Sequence, residues 1–154
     1  MHGALRPSVF QVGADGVVTL LPGADSSARA PRLRYAAPEV ARGEEPTAAA
    51  DVFSLALITL ELHSGRAARA GDGDELAALA MDGIATIPEA LPERLGGLAV
   101  RSTAVDPALR PTAGVWRAAL ERPAARRRGP GPLAVVMAAA VVVLAGLLGL
   151  DRRR

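Results

Sequence analysis

The fold is decided by the stretch Asp51-Val52-Phe53-Ser54-Leu55-Ala56-Leu57-Ile58-Thr59-Leu60-Glu61-Leu62-His63. Apolar residues fill nearly every face that this stretch would present as a helix. A helix that is apolar on all sides is normally buried among other elements. Gly65 follows and predicts the end of the helix, because glycine adopts a left-handed conformation without strain. The stretch therefore predicts a central helix wrapped by the rest of the chain.

The segments around this helix predict a small, mainly α fold. Val9 to Leu21 contains two apolar-rich runs around Ala14-Asp15-Gly16, a pattern typical of a β-hairpin. Leu21 to Arg34 is rich in Pro, Gly and Ser and predicts a loop. Asp74 and Thr112 are the expected N-caps of the first and last of three further helices. Those three amphipathic helices are expected at Asp74 to Ile84, Pro92 to Ala104 and Thr112 to Arg122.

Length and composition exclude several kinds of chemistry. The 154 residues suffice for one domain, and the chain has no Cys, Lys or Asn, so all 18 positive side chains are Arg. Disulfides, thiolate-bound metals, a Schiff-base lysine and a phosphate-binding loop lysine are therefore excluded. Neither His2 nor His63 has the companions of a zinc site, and no serine lies in a hydrolase elbow.

The positive charge is concentrated at the C-terminal end. The net charge is +2, and Arg126 to Arg128 and Arg152 to Arg154 supply six of the 18 Arg. Residues 1–125 therefore hold 12 Arg against 15 acidic residues, a net charge of −3. This distribution predicts no nucleic-acid partner, because a nucleic-acid-binding domain presents a basic face.

Leu133 to Leu150 predicts a transmembrane helix. These 18 residues carry no charge, and as a helix they span about 27 Å, close to the ~30 Å hydrocarbon core of a bilayer. A buried core helix is the alternative, but it would normally show a polar face. We expect a single-pass anchor that contacts membrane lipid. A juxtamembrane linker at 123–132 precedes it, a basic tail at 151–154 follows it, and residues 1–125 are placed in the cytoplasm.

Four short motifs resemble the C-terminal lobe of bacterial Hanks-type Ser/Thr protein kinases. In order, they resemble the catalytic loop, the end of the activation segment, the start of the central helix and the run before the last helix. The resemblance covers roughly residues 1–122 and implies a kinase C-lobe. The motifs are His2-Gly3-Ala4-Leu5-Arg6-Pro7-Ser8-Val9, Tyr35-Ala36-Ala37-Pro38-Glu39, Asp51-Val52-Phe53-Ser54-Leu55 and Asp106-Pro107-Ala108-Leu109-Arg110-Pro111-Thr112.

The resemblance implies structural roles for four residues. Glu39 would pair with Arg110 and tie the activation segment to the lower helices. Asp51 would accept hydrogen bonds from the backbone of the catalytic loop, and His2 would pack beneath that loop. These four positions keep the residue types of the family pattern.

The positions that carry phosphoryl-transfer chemistry in the family are replaced. Ala4 stands where the family has the catalytic Asp, Arg6 where it has a Lys, and Val9 where it has a metal-binding Asn. Pro22 stands where the family has the second metal-binding Asp, although Asp25 lies three residues further on. Since Mg²⁺ requires oxygen ligands, the resemblance implies no catalysis, no metal and no cofactor.

The chain begins at the catalytic-loop motif, so we expect the ATP-binding N-terminal lobe to be absent. Apolar cleft surface near the hairpin, Leu5 and Leu20 would then lie open for another kinase or a regulator. The expected function is that of a membrane-anchored, pseudokinase-like interaction module. The alternatives are a truncated portion of a transmembrane Ser/Thr kinase, which binds or uses ATP in its full-length form, and a decayed gene product.

Two further features are open to more than one interpretation. Arg32-Leu33-Arg34 could steady an anionic partner or could form a solvated loop edge. Ser26 and Ser27 could be phosphorylated or simply solvated. Trp116, in the last predicted helix, is expected in the core.

Overall fold

The computed structural model describes residues 2–3, 5–21, 32–83, 85–86 and 93–121. This part of the chain is mainly helical, with one two-stranded antiparallel sheet, as predicted. Two short 3-10 turns, at Pro7–Val9 and Pro107–Leu109, precede β1 and the last helix. The elements are β1 (Phe10–Val12), β2 (Val18–Leu20), α1 (Pro38–Ala41), α2 (Ala48–Ser64), α3 (Gly73–Met81), α4 (Glu93–Ser102) and α5 (Ala113–Glu121).

The hairpin forms where the sequence predicts it. Phe10 pairs with Leu20 and Val12 pairs with Val18 in an antiparallel register. Gly16 has a φ of +79°, a conformation that favours glycine. The Asp15 carboxylate accepts a hydrogen bond from the Val17 N–H at 3.0 Å, so the Asp-Gly pair closes the loop.

Helix α2 is the centre of the fold, as predicted. All of its residues from 50 to 60 are buried. The hydroxyl of Thr47 caps the first turn by accepting a hydrogen bond from the N–H of Ala50. At the other end Gly65 has a φ of +68°, and its N–H donates to the carbonyl of Glu61. An apolar segment with a cap at each end thus becomes the helix around which the core is built.

The main hydrophobic core surrounds α2, and α4 and α5 contribute to it. Trp116 of α5 is fully buried, and its Nε1–H donates to Ser102 Oγ of α4 at 2.8 Å. The expectation that Trp116 belongs to the core is confirmed. A smaller second cluster forms around α3 and consists of Leu33, Leu76 and Ala80.

The main differences between the helices and their prediction concern α1 and α3. Helix α1 was not predicted, because four residues are too few to show a helical period. Asp74 is not the N-cap of α3: the helix begins one residue earlier, Asp72 occupies the cap position, and Asp74 lies in the first turn. The same helix ends at Met81 rather than at residue 84, with Asp82 as the C-cap and Gly83 at a φ of +72°.

Within the described residues, no helix combines the length and apolar character needed to cross a bilayer. The predicted span from Leu133 to Leu150, the linker at 123–132 and the tail at 151–154 all lie outside those residues. The membrane anchor therefore stays a prediction from the sequence.

Candidate functional site

The N-terminal end of α2 holds the segment that precedes the hairpin. Asp51, in the first turn of α2, is almost completely buried. Its Oδ2 accepts a hydrogen bond from the His2 N–H at 2.6 Å, and its Oδ1 accepts one from the Gly3 N–H at 2.8 Å. Both carboxylate oxygens are thus used to fix the backbone of residues 2 and 3, and the negative charge lies at a helix N-terminus, where it is favourable.

Gly3 is required at this junction for two reasons. Its φ is +74°, which L-residues with a side chain rarely adopt. A Cβ at this position would also lie 2.9 Å from Cγ of Pro46. Glycine therefore allows the two adjacent backbone N–H groups to converge on one carboxylate.

His2 connects the same segment to the end of the hairpin. Its Nε2 lies 3.0 Å from the carbonyl oxygen of Leu21. A carbonyl oxygen can only accept, so Nε2 carries the hydrogen of this contact. Nδ1 is buried and has no hydrogen-bond partner among the described residues. His2 thus contacts the residue that follows β2, and its expected packing beneath the loop stays a prediction.

Glu39 of α1 and Arg110 form a buried, bidentate ion pair. Arg110 Nη1 donates to Glu39 Oε1 at 2.6 Å, and Nη2 donates to Oε2 at 2.8 Å. Arg110 also donates to the backbone carbonyls of Ala49, Ala104 and Val105, so one guanidinium joins three segments. The structure therefore brings Glu39 and Arg110 together, and this pair fixes the segment after Tyr35 against the loop before α5.

The ion pair determines the ionisation of Glu39. Burial by itself would raise the pKa of this carboxyl, but the hydrogen bond from Arg110 and the nearby positive charge outweigh it. The pKa of Glu39 therefore lies below its ordinary value of 4.5, and the residue stays ionised at neutral pH.

Arg69 is a buried residue of this region that the sequence did not single out. Its Nη1 donates to the carbonyls of Leu33 at 2.7 Å and Ala36 at 2.9 Å. Burial lowers the pKa of Arg69 to about 10. The guanidiniums of Arg69 and Arg110 lie 5.5 and 4.9 Å from the Phe53 ring centroid. No pattern marks Arg69 in the sequence, because it lies in a Gly- and Ala-rich connection.

Tyr35 ties the segment before α1 to the far half of α2. Its hydroxyl donates to Glu61 Oε2 at 2.6 Å, and its carbonyl accepts a hydrogen bond from the buried Ser54 hydroxyl at 2.8 Å. Burial and the hydrogen bond to Glu61 both raise the pKa of Tyr35. The phenol therefore stays neutral and acts as a structural hydrogen-bond donor.

Of the positions where the residues for phosphoryl transfer are replaced, the structure describes Arg6 and Val9. Val9 is buried in the main core and can bind no metal. Arg6 is buried as well, and its Nε donates to Ser8 Oγ at 2.9 Å. Ala4, Pro22 and Asp25 lie outside the described residues. Among the described residues, no three His, Asp or Glu side chains are grouped closely enough to hold a metal ion.

The expectation of open apolar surface is wrong at Leu5, whereas Leu20 is half-buried. Leu5 is buried in the main core and Leu20 packs against it, because the fold supplies its own apolar partners there. The exposed apolar side chains of the hairpin are instead Val12 and Val17, at 50% and 58% exposure, and Leu21 follows β2.

A small open cavity of about 40 Å³ lies between the segment at residues 3–6, the segment at 35–37 and the start of α2. Its charged lining residues are Arg6, Arg32 and Asp51. The remaining lining residues are Gly3, Leu5, Tyr35, Ala36, Ala37, Val40, Ala50 and Ser54.

Comparison with known proteins yields no match to any protein-family model or to any curated protein sequence. The resemblance to protein kinases therefore stays a prediction from the motifs.

Proposed function

We propose that this chain is a kinase-like C-lobe that serves as a membrane-anchored protein-interaction module and does not transfer phosphate. Three features support this function: the contacts of Asp51 and of the Glu39–Arg110 pair, the apolar Val9 in the catalytic-loop motif, and the exposed apolar residues of the hairpin.

The observation that carries the proposal is the contrast within residues 2–9. The backbone at residues 2 and 3 is held by the Asp51 carboxylate through bonds of 2.6 and 2.8 Å. In the same segment the position of a metal-binding Asn in the family holds Val9, which is packed in the core. A segment that keeps its anchoring contacts and has an apolar side chain at the metal position favours a structural role over phosphoryl transfer.

The frame around this segment supports the kinase-like interpretation. Glu39 and Arg110 lie 71 residues apart in sequence and form two short, buried hydrogen bonds. Asp51 holds a separate segment, the backbone at residues 2 and 3. These contacts are of the kind that the resemblance implied for the same residues, and they support the proposal without assigning the family.

The exposed side of the hairpin supports the interaction role. Val12 and Val17 flank the hairpin loop and are at least half exposed, whereas Val18 is buried. Exposed apolar surface marks many protein-interaction sites. We therefore place the partner surface on the hairpin at Val12, Val17 and Leu21.

A site-specific photo-crosslinking experiment tests this placement. A photo-reactive residue at Val17 of the full chain, expressed in its native cells, should give one discrete protein adduct. The substitution Val12→Ser should remove that adduct. A photo-reactive residue at Val115, which is 44% exposed on α5, serves as the matched control. No adduct at Val17, or the same adduct from Val115, would contradict an interaction surface on the hairpin.

A further inference from the structure

The outer edge of β1 carries backbone groups that have no partner among the described residues. The Gly13 N–H donates to the Val17 carbonyl at 2.8 Å, and the Leu21 N–H donates to the Val9 carbonyl at 2.8 Å. In an antiparallel ladder, residue pairs that exchange hydrogen bonds alternate with pairs that do not. The register therefore places the N–H and the carbonyl of Val12 on the side of β1 that faces away from β2.

This edge offers a binding partner one donor and two acceptors. The same alternation points the carbonyls of Phe10 and Val12 outward, together with the Val12 N–H. The Phe10 N–H is already used, because it donates to the Pro7 carbonyl. Val12 is 50% exposed, whereas Val18 on β2 is buried, so β1 is the more accessible of the two edges. Proteins often protect an open edge with a charged residue or a proline, and β1 contains neither.

The side chains at this edge indicate what kind of strand would fit beside β1. Phe10 and Val12 lie on one face of the hairpin, because successive side chains of a strand alternate between faces. Phe10 packs against the main core. Gln11 and Thr19 lie on the opposite face and are exposed. An added residue opposite Val12 would therefore contact an apolar side chain, and its two neighbours would lie beside Gln11 in solvent. The segment that fits has alternating apolar and polar residues.

We propose that an extended segment of a partner protein, with alternating apolar and polar residues, adds to β1 as a third strand. The backbone of Phe10 and Val12 would hold it. In recognition by strand addition, main-chain hydrogen bonds give affinity and alternate side chains give specificity. The inference rests on the proposed interaction function and names how the partner is bound.

A second copy of this chain fits the same edge less well. Two β1 strands paired symmetrically about Gln11 would bring the Phe10 N–H of each copy opposite the Val12 carbonyl of the other. The Phe10 N–H already donates to the Pro7 carbonyl, so the symmetric pair would lack two of its four hydrogen bonds. A partner segment has no such restriction on its own backbone groups.

Amide hydrogen exchange of the full chain in detergent micelles, followed by nuclear magnetic resonance, tests the free edge. The Val12 N–H should exchange at least about tenfold faster than the Gln11 N–H, which points toward Thr19 of β2. The peptide acetyl-Thr-Val-Thr-Val-Thr-amide should then slow exchange at Val12 in a saturable way, with half-saturation below about 10 mM.

A substitution at Val12 tests whether the backbone makes the contact. Val12→Pro removes the outward donor and spares the ladder with β2, because the Val12 N–H takes no part in that ladder. It should weaken binding of the fluorescently labelled peptide, measured by anisotropy, about 3- to 10-fold. Val12→Ile keeps the N–H and an apolar side chain, and it should bind the peptide like the parent chain.

Several results would overturn the inference. Exchange at Val12 as slow as at Gln11 in the free chain would show that the chain itself covers the edge. Protection of Val12 that increases with chain concentration would replace the partner segment with a second copy. No saturable effect up to about 10 mM peptide, or equal binding by Val12→Pro, would contradict strand addition. The exchange measurement on the parent chain keeps the test decisive if Val12→Pro does not fold. If Val17 crosslinks to a protein but the peptide does not add to β1, the proposed function stands and this inference fails.

Discussion

Arg110 donates two hydrogen bonds, of 2.6 and 2.8 Å, to the carboxylate of Glu39. The guanidinium of Arg110 also lies 4.9 Å from the centroid of the Phe53 ring. The pair is buried and connects α1, the core of α2 and the loop before α5. Ion pairs of this kind hold remote segments in one geometry, and their loss from one side is costly because a charge is left without its partner. The stability of this fold therefore depends strongly on two residues that the sequence places far apart.

Removing either partner of this pair should destabilise the protein severely. We expect Glu39→Leu to lower the free energy of unfolding by about 3–5 kcal/mol, because Arg110 is left buried without its carboxylate. The double variant Glu39→Leu/Arg110→Met should be more stable than the sum of the two single changes predicts, by about 0.5–3 kcal/mol. Chemical denaturation of all four proteins measures this coupling.

The exposed pair Arg117–Glu121 is the matched control for that cycle. Its atoms lie 3.7 Å apart one helical turn from each other, and both side chains are at least a third exposed. The same double-mutant cycle there should give a coupling below about 0.5 kcal/mol, because solvent screens the two charges. Equal coupling energies at both pairs would show that burial does not determine the strength of the Glu39–Arg110 contact.

The carboxyl of Glu39 makes the stability of the fold sensitive to acid. The folded protein holds the pKa of Glu39 below the ordinary value of 4.5 that it would regain on unfolding. The stabilisation is therefore fully present above that value and is lost as the pH falls through the folded-state pKa. In denaturation experiments from pH 7 to pH 3, Glu39→Gln should lose less stability than the parent chain does. Parallel pH profiles would contradict this role of Glu39.

Gly3 offers a test of the backbone junction at Asp51. Gly3 and Gly16 have nearly equal φ values of +74° and +79°, but a Cβ at Gly16 would meet no atom within 4 Å. Alanine at either position should cost about 1–2 kcal/mol for the left-handed backbone. Gly3→Ala should cost more than Gly16→Ala, because its Cβ also collides with Pro46. Thermal unfolding of both variants compares the two, and equal losses would show that Pro46 moves aside without cost.

The membrane anchor can be tested apart from the folded part of the chain. Each arginine placed at the centre of the span should raise the insertion free energy by about 2.5–3.5 kcal/mol. Val141→Arg/Val142→Arg should therefore abolish the alkali-resistant sedimentation of the chain with membranes. Val141→Ile/Val142→Ile is the control and should sediment like the parent chain. Sedimentation that survives the arginine substitutions would contradict an anchor at Leu133 to Leu150.

The elements with strong local signals were predictable from the sequence. Helix α2 follows from an unbroken apolar stretch with Gly65 after it, and the hairpin follows from Asp15-Gly16 between two apolar runs. Helix α1 could not be predicted, because its four residues form a helix through tertiary contacts rather than through periodicity. The N-cap of α3 was expected at Asp74, but Asp72 is of the same residue type and occupies that position.

The side-chain contacts of the site were predictable only where both residues belong to motifs that carry the kinase resemblance. The Glu39–Arg110 pair and the bonds to Asp51 were expected from the resemblance, and the structure contains both contacts. The buried position of Arg69 was not predicted, because arginine is usually exposed and its partners are backbone carbonyls, which the sequence does not distinguish. The burial of Leu5 was missed for a similar reason, since it depends on packing against remote residues.

We propose that this chain is a kinase-like C-lobe without phosphoryl-transfer chemistry. The most direct test of this proposal is incubation of the purified full chain, in detergent micelles, with radiolabelled ATP, Mg²⁺ or Mn²⁺, and a mixture of protein substrates. An active Ser/Thr kinase serves as the positive control, and the heat-denatured chain gives the background. We predict no label in the chain or in the substrates above that background. Label that requires the native chain and increases with its concentration would contradict the account and favour a catalytic kinase.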